Sequence, residues 1–150
     1  MSYRRILAAL DGSRHAEAVL ATALEQARLN EAELLLATAV PHYGDGAPIL
    51  VADIGGQAHR AREALQVEAR EAGKALLAKA QARAKNAGLA PRSLLLEGEA
   101  ADALCRCAAE HEVELLVIGS RGLSTVKELL LGSVSHKVAQ LAPCPVLIVK

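Results

Sequence analysis

Chemistry in this chain centres on residues 119–135, GSRGLSTVKELLLGSVS. Gly119 and Gly122 form a Gly-x-x-Gly pair, and Gly132 follows after nine intervening residues with Ser133 directly behind it. A phosphate needs backbone N–H groups with nothing bulky in front of them, and glycine permits that approach. Gly119 and Gly122 can wrap the near side of a phosphate chain. Gly132 and Ser133 open the last helix, whose first N–H groups are unpaired and whose dipole favours an anion. Ser133 and Ser135 offer hydroxyls, and Arg121 and Lys127 offer positive charge. Gly119 and Gly122 alone would read as a turn after a strand. The third glycine, at a helix start and followed by a hydroxyl residue, makes the run read as a cradle.

A second polar turn, Asp11-Gly12-Ser13, closes the first apolar run of the chain. If the strands before the two turns are neighbours, both turns line one crevice at the carboxyl ends of a parallel sheet. Asp11 is expected to make a polar contact to the ligand rather than to act as a base. No G-x-x-x-x-G-K-[ST] and no G-x-G-x-x-G after the first strand occurs, so neither the P-loop nor the dinucleotide fingerprint is present. His15, His42, His59, His111 and His136 form no H-E-x-x-H or close Cys/His group, so no metal site is expected. His15 and His136 lie early in helices near the proposed crevice; each is read as a solvated helix residue, with a contact to the ligand as the alternative.

The elements that must hold these turns follow from the hydrophobic pattern. Apolar runs at Arg5–Leu10, Glu33–Val40, Ser93–Glu97, Glu114–Ile118 and Val146–Lys150 read as strands. Helical spacing covers Arg14–Leu29, with Ser13 as its cap and Asn30 as its left-handed terminator. A long charged, alanine-rich helix is expected from His59 to Ala87, with Gly73 inside it at a cost of ~1 kcal/mol relative to Ala. Shorter helices are expected over Ala100–His111 and Ser133–Leu141. Residues 41–58, rich in Gly and Pro, read as a loop or lid. The alternation βαβαβαβαβ predicts an α/β domain with a parallel sheet and helices on both faces.

The chain has 150 residues, enough for one domain over 1–150. It has no Phe or Trp, and Tyr3 and Tyr43 are its only aromatics, so Ala, Leu, Val and Ile must pack the core. Seventeen basic residues balance seventeen acidic ones, which argues against nucleic acid or an anionic membrane as partner. No stretch reaches the ~18 apolar residues of a membrane span. The apolar run of MSYRRILAALDG is cut by Asp11, a poor signal peptide, and a cytoplasmic protein is expected. Cys105, Cys107 and Cys144 are read as small buried hydrophobes.

Taken together, RRILAALDGS, ELLVIGSRG, the spacing G-x-x-G-(nine residues)-G-S and the ending GSVSHKVAQLAPCPVLIVK resemble the universal stress protein family, in its ATP-binding branch. The resemblance covers nearly the whole chain. It implies a Rossmann-like, adenine nucleotide alpha hydrolase-like sheet of five parallel strands in order 3-2-1-4-5, with ATP, and magnesium with it, as ligand. It implies that Asp11 contacts the ribose or adenine side, that Val40 meets adenine through its backbone, and that Ile118 lines the same pocket. Gly119, Gly122, Gly132, Ser133, Val134 and Ser135 would hold the phosphates, with Ala9, Leu10, Ser120 and Arg121 completing the set. Ala9 replaces the family's common proline or valine, and Glu114 its usual aspartate. The resemblance also implies a homodimer paired through the edge strand Val146–Lys150, acting as a stress sensor or regulator. Lacking an evident base or phosphate-clamping lysine, it is expected to hydrolyse ATP slowly or not at all. Two alternatives remain: a partner-binding module with a vestigial nucleotide site, and a nucleotidyl-transferring enzyme.

Overall fold

The computed structural model describes residues 2–43, 56–121 and 131–150. Strands and helices alternate along them: β1 (Arg5–Ala9), α1 (His15–Asn30), β2 (Glu33–Val40), α2 (Gln57–Asn86), β3 (Arg92–Glu97), α3 (Ala100–Glu110), β4 (Leu115–Gly119), α4 (Ser133–Leu141) and β5 (Val146–Val149). All strand pairs are parallel, and the order across the sheet is β3-β2-β1-β4-β5. This is the expected α/β sheet. Gly122, Lys127 and most of the expected 41–58 loop lie outside the described residues.

The strands read as unbroken apolar runs because both faces of the sheet are covered. Ile6 and Ala8 of β1, Leu34 and Leu36 of β2, and Leu115 and Val117 of β4 join the core under α1 and α2. The residues between them, Leu7, Leu35, Ala37, Leu116 and Ile118, join a second core under α3 and α4. Alanines such as Ala23 and Ala27 of α1 and Ala80 and Ala84 of α2 are buried against the sheet. Small side chains there let the helix backbones lie close, which suits a core without Phe or Trp. Cys107 is buried in the second core, and Cys105 and Cys144 pack on its edge as free thiols. Burial pushes all three thiols up, which disfavours the reactive thiolate.

Several ends differ from the sequence reading. Glu31, not Asn30, takes the left-handed position after α1, with φ 51°. Asn30 stays helical because its side chain is used elsewhere: Oδ1 accepts the Tyr3 N–H at 3.1 Å and Nδ2 donates to the Gln26 carbonyl at 2.7 Å. The long helix starts at Gln57, earlier than expected. Residues 41–43 are held by it, since buried Gln66 accepts the Tyr43 N–H at 2.7 Å and donates to the Pro41 carbonyl at 3.0 Å. Arg70 of α2 pairs with Glu97 at the end of β3.

Candidate functional site

Strand order reverses between β1 and β4, whose neighbours β2 and β5 lie on opposite sides, and a cleft of about 310 Å3 opens beyond their carboxyl ends. The first wall is the turn after β1. Asp11 Oδ1 accepts the Ser13 N–H at 2.9 Å and also bonds the Ser13 hydroxyl. The helix starts one residue later than expected, with Arg14 and not Ser13 in the N-cap position. The α1 N-terminus therefore has no side-chain cap.

The second wall is the return from β4 to α4. Ser120 continues the sheet, its N–H bonding the Val149 carbonyl at 2.8 Å. The Ser120 carbonyl then accepts the Gly132 N–H at 2.7 Å, which anchors the start of α4. Ser135 is buried, and its hydroxyl lies 2.9 Å from the Ser120 carbonyl and 3.0 Å from the Gly132 carbonyl. A hydroxyl has one proton to donate, so this one serves the protein. The Ser135 hydroxyl, expected to face a phosphate, is engaged by these carbonyls. The first intrahelical bond of α4 runs from the His136 N–H to the Gly132 carbonyl at 3.0 Å. The N–H groups of Ser133, Val134 and Ser135 precede it, and no side chain caps them.

A third helix start, that of α3, adds Ala100 and Leu104 to the cleft wall. It differs from the other two because Glu99 caps it, accepting the Ala101 N–H at 3.2 Å and the Asp102 N–H at 2.9 Å. Lys137 of α4 bonds Glu99 at 3.2 Å and Asp102 at 3.1 Å, tying α4 to α3. The Asp102 N–H bond, with Lys137 and the Ala101 N–H, pulls the Glu99 carboxyl down to about 2 against desolvation. A carboxyl lowered by folding contributes stability where it is ionised in both states, above 4.5, and loses it as pH falls toward about 2. Glu99→Gln is therefore expected to melt below the wild type at neutral pH, with the gap narrowing across that acid window. A gap that stays constant with pH in thermal melts would show that the charge of Glu99 contributes nothing.

Of the residues expected at the site, Ala9, Leu10, Asp11, Ile118, Gly119, Arg121, Gly132, Ser133, Val134 and Ser135 line the cleft. Ser120 contributes its carbonyl as the anchor for α4 rather than a side chain in the wall. Val40 ends β2 with its carbonyl bonded to the Gly98 N–H at 3.0 Å, and Ala39 supplies the β2 residue in the wall instead. Ser13, expected with its turn, lines the cleft, as does His15, placed near the crevice by the sequence; Ala16 and Val19 line it too and were not expected there. Their signal was available, because the first turn of a helix that follows a strand end must face the same crevice. Ala100, which opens α3 after β3, carries the same signal, and Leu104 one turn on reaches the wall through the packing of α3.

The fold and site define a doubly wound α/β domain with a cleft at its switch point, onto which two helix N-termini without side-chain caps open. The chain belongs to the universal stress protein family, whose model matches residues 2–150. It is 34% identical over 151 residues to the universal stress protein YxiE of Bacillus subtilis (strain 168), covering 99% of each chain. A universal stress protein solved in complex with cAMP is 31% identical, with a TM-score of 0.68 over 99% of this chain and 98% of that one. The universal stress protein from Archaeoglobus fulgidus in complex with dAMP is 25% identical, with a TM-score of 0.63 over 100% of both chains. Among the described residues no helix is long and apolar enough to cross a membrane.

Proposed function

We propose that the chain binds adenine nucleotides in this cleft, ATP with magnesium foremost, and holds them rather than turning them over. The observation that carries the reading is the convergence of two uncapped helix N-termini, those of α1 and α4, on one cleft at the strand ends. The N–H groups of Ser133, Val134 and Ser135 and the dipoles of both helices favour an anion there, although the Ala16 N–H of α1 is held by the Ser13 carbonyl at 3.2 Å. Relatives solved with cAMP and dAMP support adenine as the base. Asp11 is the carboxylate in the described part of the wall, and its Oδ1 is engaged by Ser13. Among the described residues no group of three His, Cys, Asp or Glu side chains is placed to hold a metal. Magnesium would therefore ride on the phosphate oxygens and water, with Asp11 Oδ2 as the chain's own contribution. A tied carboxylate is a poor base for activating water, which supports storage or sensing over catalysis. Turnover below about 0.1 s⁻¹ is expected, under the range of kinases.

The reading includes a homodimer. β5 pairs with β4 on one side only and stands at the sheet edge, with apolar residues Val146–Val149 half-buried in the single chain. Such an edge invites pairing with a second copy. A nucleotide held at Gly132, whose N–H bonds the Ser120 carbonyl, has a physical route to the dimer through the Ser120 N–H bonded to β5.

With two tyrosines and no tryptophan, the protein absorbs weakly in the near ultraviolet. Purified protein is expected to show the spectrum of adenine rather than of tyrosine, and to sediment as two chains. Saturating Mg-ATP should stabilise nucleotide-free protein by about 2.7 kcal/mol at a hundredfold excess over Kd, a rise of roughly 5–10 °C in Tm. Absence of bound nucleotide together with an unmoved Tm removes the binding reading, and a monomer at micromolar concentration removes the dimer.

A further inference from the structure

We propose that His15 is a proton-linked contact to the anionic part of the bound nucleotide, so that nucleotide affinity rises as pH falls. The proposal rests on the nucleotide reading above and names a residue that reading does not use. His15 is the first residue of α1 and lines the cleft. A side chain on Gly119 would place its Cβ 3.1 Å from the His15 Cβ, so the imidazole stem lies directly over the end of β4. One residue further on, the Ser120 carbonyl anchors Gly132 and with it the cradle. The ring is half-buried, yet among the described residues it has no hydrogen-bond or ion-pair partner. Other histidines are engaged: His42 pairs with Glu97, His59 with Glu63, and His111 bonds the Cys107 carbonyl. A half-buried histidine in the wall of this cleft, with no partner for its ring among the described residues, is placed to meet the ligand.

The chemistry follows from linkage. An anion beside an imidazole favours its protonation, and the proton taken up strengthens the charge-assisted bond to the anion. Binding of the two is therefore reciprocal. The charged and titratable groups around this end of the molecule are accounted for as follows. Asp11, in the turn before α1, is tied to Ser13. Arg14 and Glu17 belong to α1 itself and are exposed. Arg121 follows β4 in the same wall, Lys79 of α2 lines the neighbouring groove, and Lys150 follows β5. Glu99 and Asp102 of α3 are both paired with Lys137 of α4. His136 of α4 is exposed and outside the wall. Among these, His15 and His136 are the imidazoles.

The test uses cAMP, whose phosphodiester keeps a single charge through this range, with adenosine as the uncharged control. Calorimetric titrations at about pH 5.5 and about pH 8 bracket an imidazole. Wild-type protein is expected to bind cAMP about tenfold tighter at the lower pH, with no such change for adenosine. In His15→Gln the cAMP slope disappears, and in His136→Gln it stays. His15→Asn serves as the second variant if the first does not fold. A flat wild-type profile, or a full slope in the folded His15 variant, overturns the proposal. Failure of the underlying nucleotide reading looks different: wild-type protein then binds neither cAMP nor Mg-ATP at either pH.

Discussion

Gly132→Val is expected to abolish nucleotide binding while the protein keeps its fold. Gly132 has φ −63° and ψ 160°, a conformation any residue adopts. A Cβ there would meet the Arg121 Cα and the Ser120 carbonyl oxygen at 3.4 Å and Ser135 Oγ at 3.6 Å, all ordinary contacts. Neither backbone strain nor tight packing thus explains why position 132 has no side chain. What remains is its place in front of the unpaired N–H groups of Ser133, Val134 and Ser135. The two methyls of valine would stand where phosphate oxygens approach. Losing several charge-assisted bonds costs about 3 kcal/mol or more, a fall in affinity of at least about a hundredfold. The measurements are nucleotide affinity by calorimetry and Tm in the absence of ligand. Wild-type affinity in a folded variant would refute the cradle. Gly119 is a poorer probe, because a Cβ there would lie 3.1 Å from the His15 Cβ and 3.3 Å from the Arg121 carbonyl. Loss of binding in a Gly119 variant would be mixed with strain in the turn.

Gly73→Val is expected to destabilise the protein by about 2–4 kcal/mol, although helix propensity favours replacing a glycine in a helix interior. Gly73 is buried on the face of α2 that crosses β2 and β3. A Cβ there would lie 2.6 Å from Leu95 Cδ1, 3.0 Å from Val40 Cγ1 and 3.4 Å from Thr38 Cγ2. Glycine lets the helix touch the sheet at that point, so its propensity cost of ~1 kcal/mol is offset by the packing it permits. At 2–4 °C per kcal/mol for a chain of this size, Tm should fall by roughly 10 °C. Pairing the change with Leu95→Ala should recover part of the loss, because the space removed on the strand accommodates the side chain added on the helix. A Gly73→Val variant as stable as wild type would refute close packing as the reason for this glycine. The variant also perturbs Val40, so a nucleotide measurement on it would not test the site.

Most of the fold was legible because it is written in local periodicity. Apolar runs between helical stretches specify the alternation, and a parallel sheet covered on both faces follows from it. The site was legible where its residues end strands, as Asp11 and Gly119 do, or open helices, as Gly132 and Ser133 do. Legibility stopped where a side chain's partner is distant in sequence. Ser13 read as a cap, accepting through its oxygen, and Ser135 as a hydroxyl donor to the ligand. The first is engaged by Asp11, and the second by carbonyls at Ser120 and Gly132. His15 read as near the crevice, but only the packing of α1 on β4 shows that its stem lies over Gly119.

The sequence by itself determined the order of elements, the family, and the two turns that meet at the switch point. It could do so because periodicity, turn chemistry and glycine spacing act among residues that are neighbours along the chain. Only the tertiary structure decided which helix starts stay uncapped, that Ala39 rather than Val40 faces the cleft, and why Gly73 interrupts a helix. Those outcomes depend on how closely a helix can approach a sheet and on which polar groups then find partners, and that is set by packing between segments far apart in the chain.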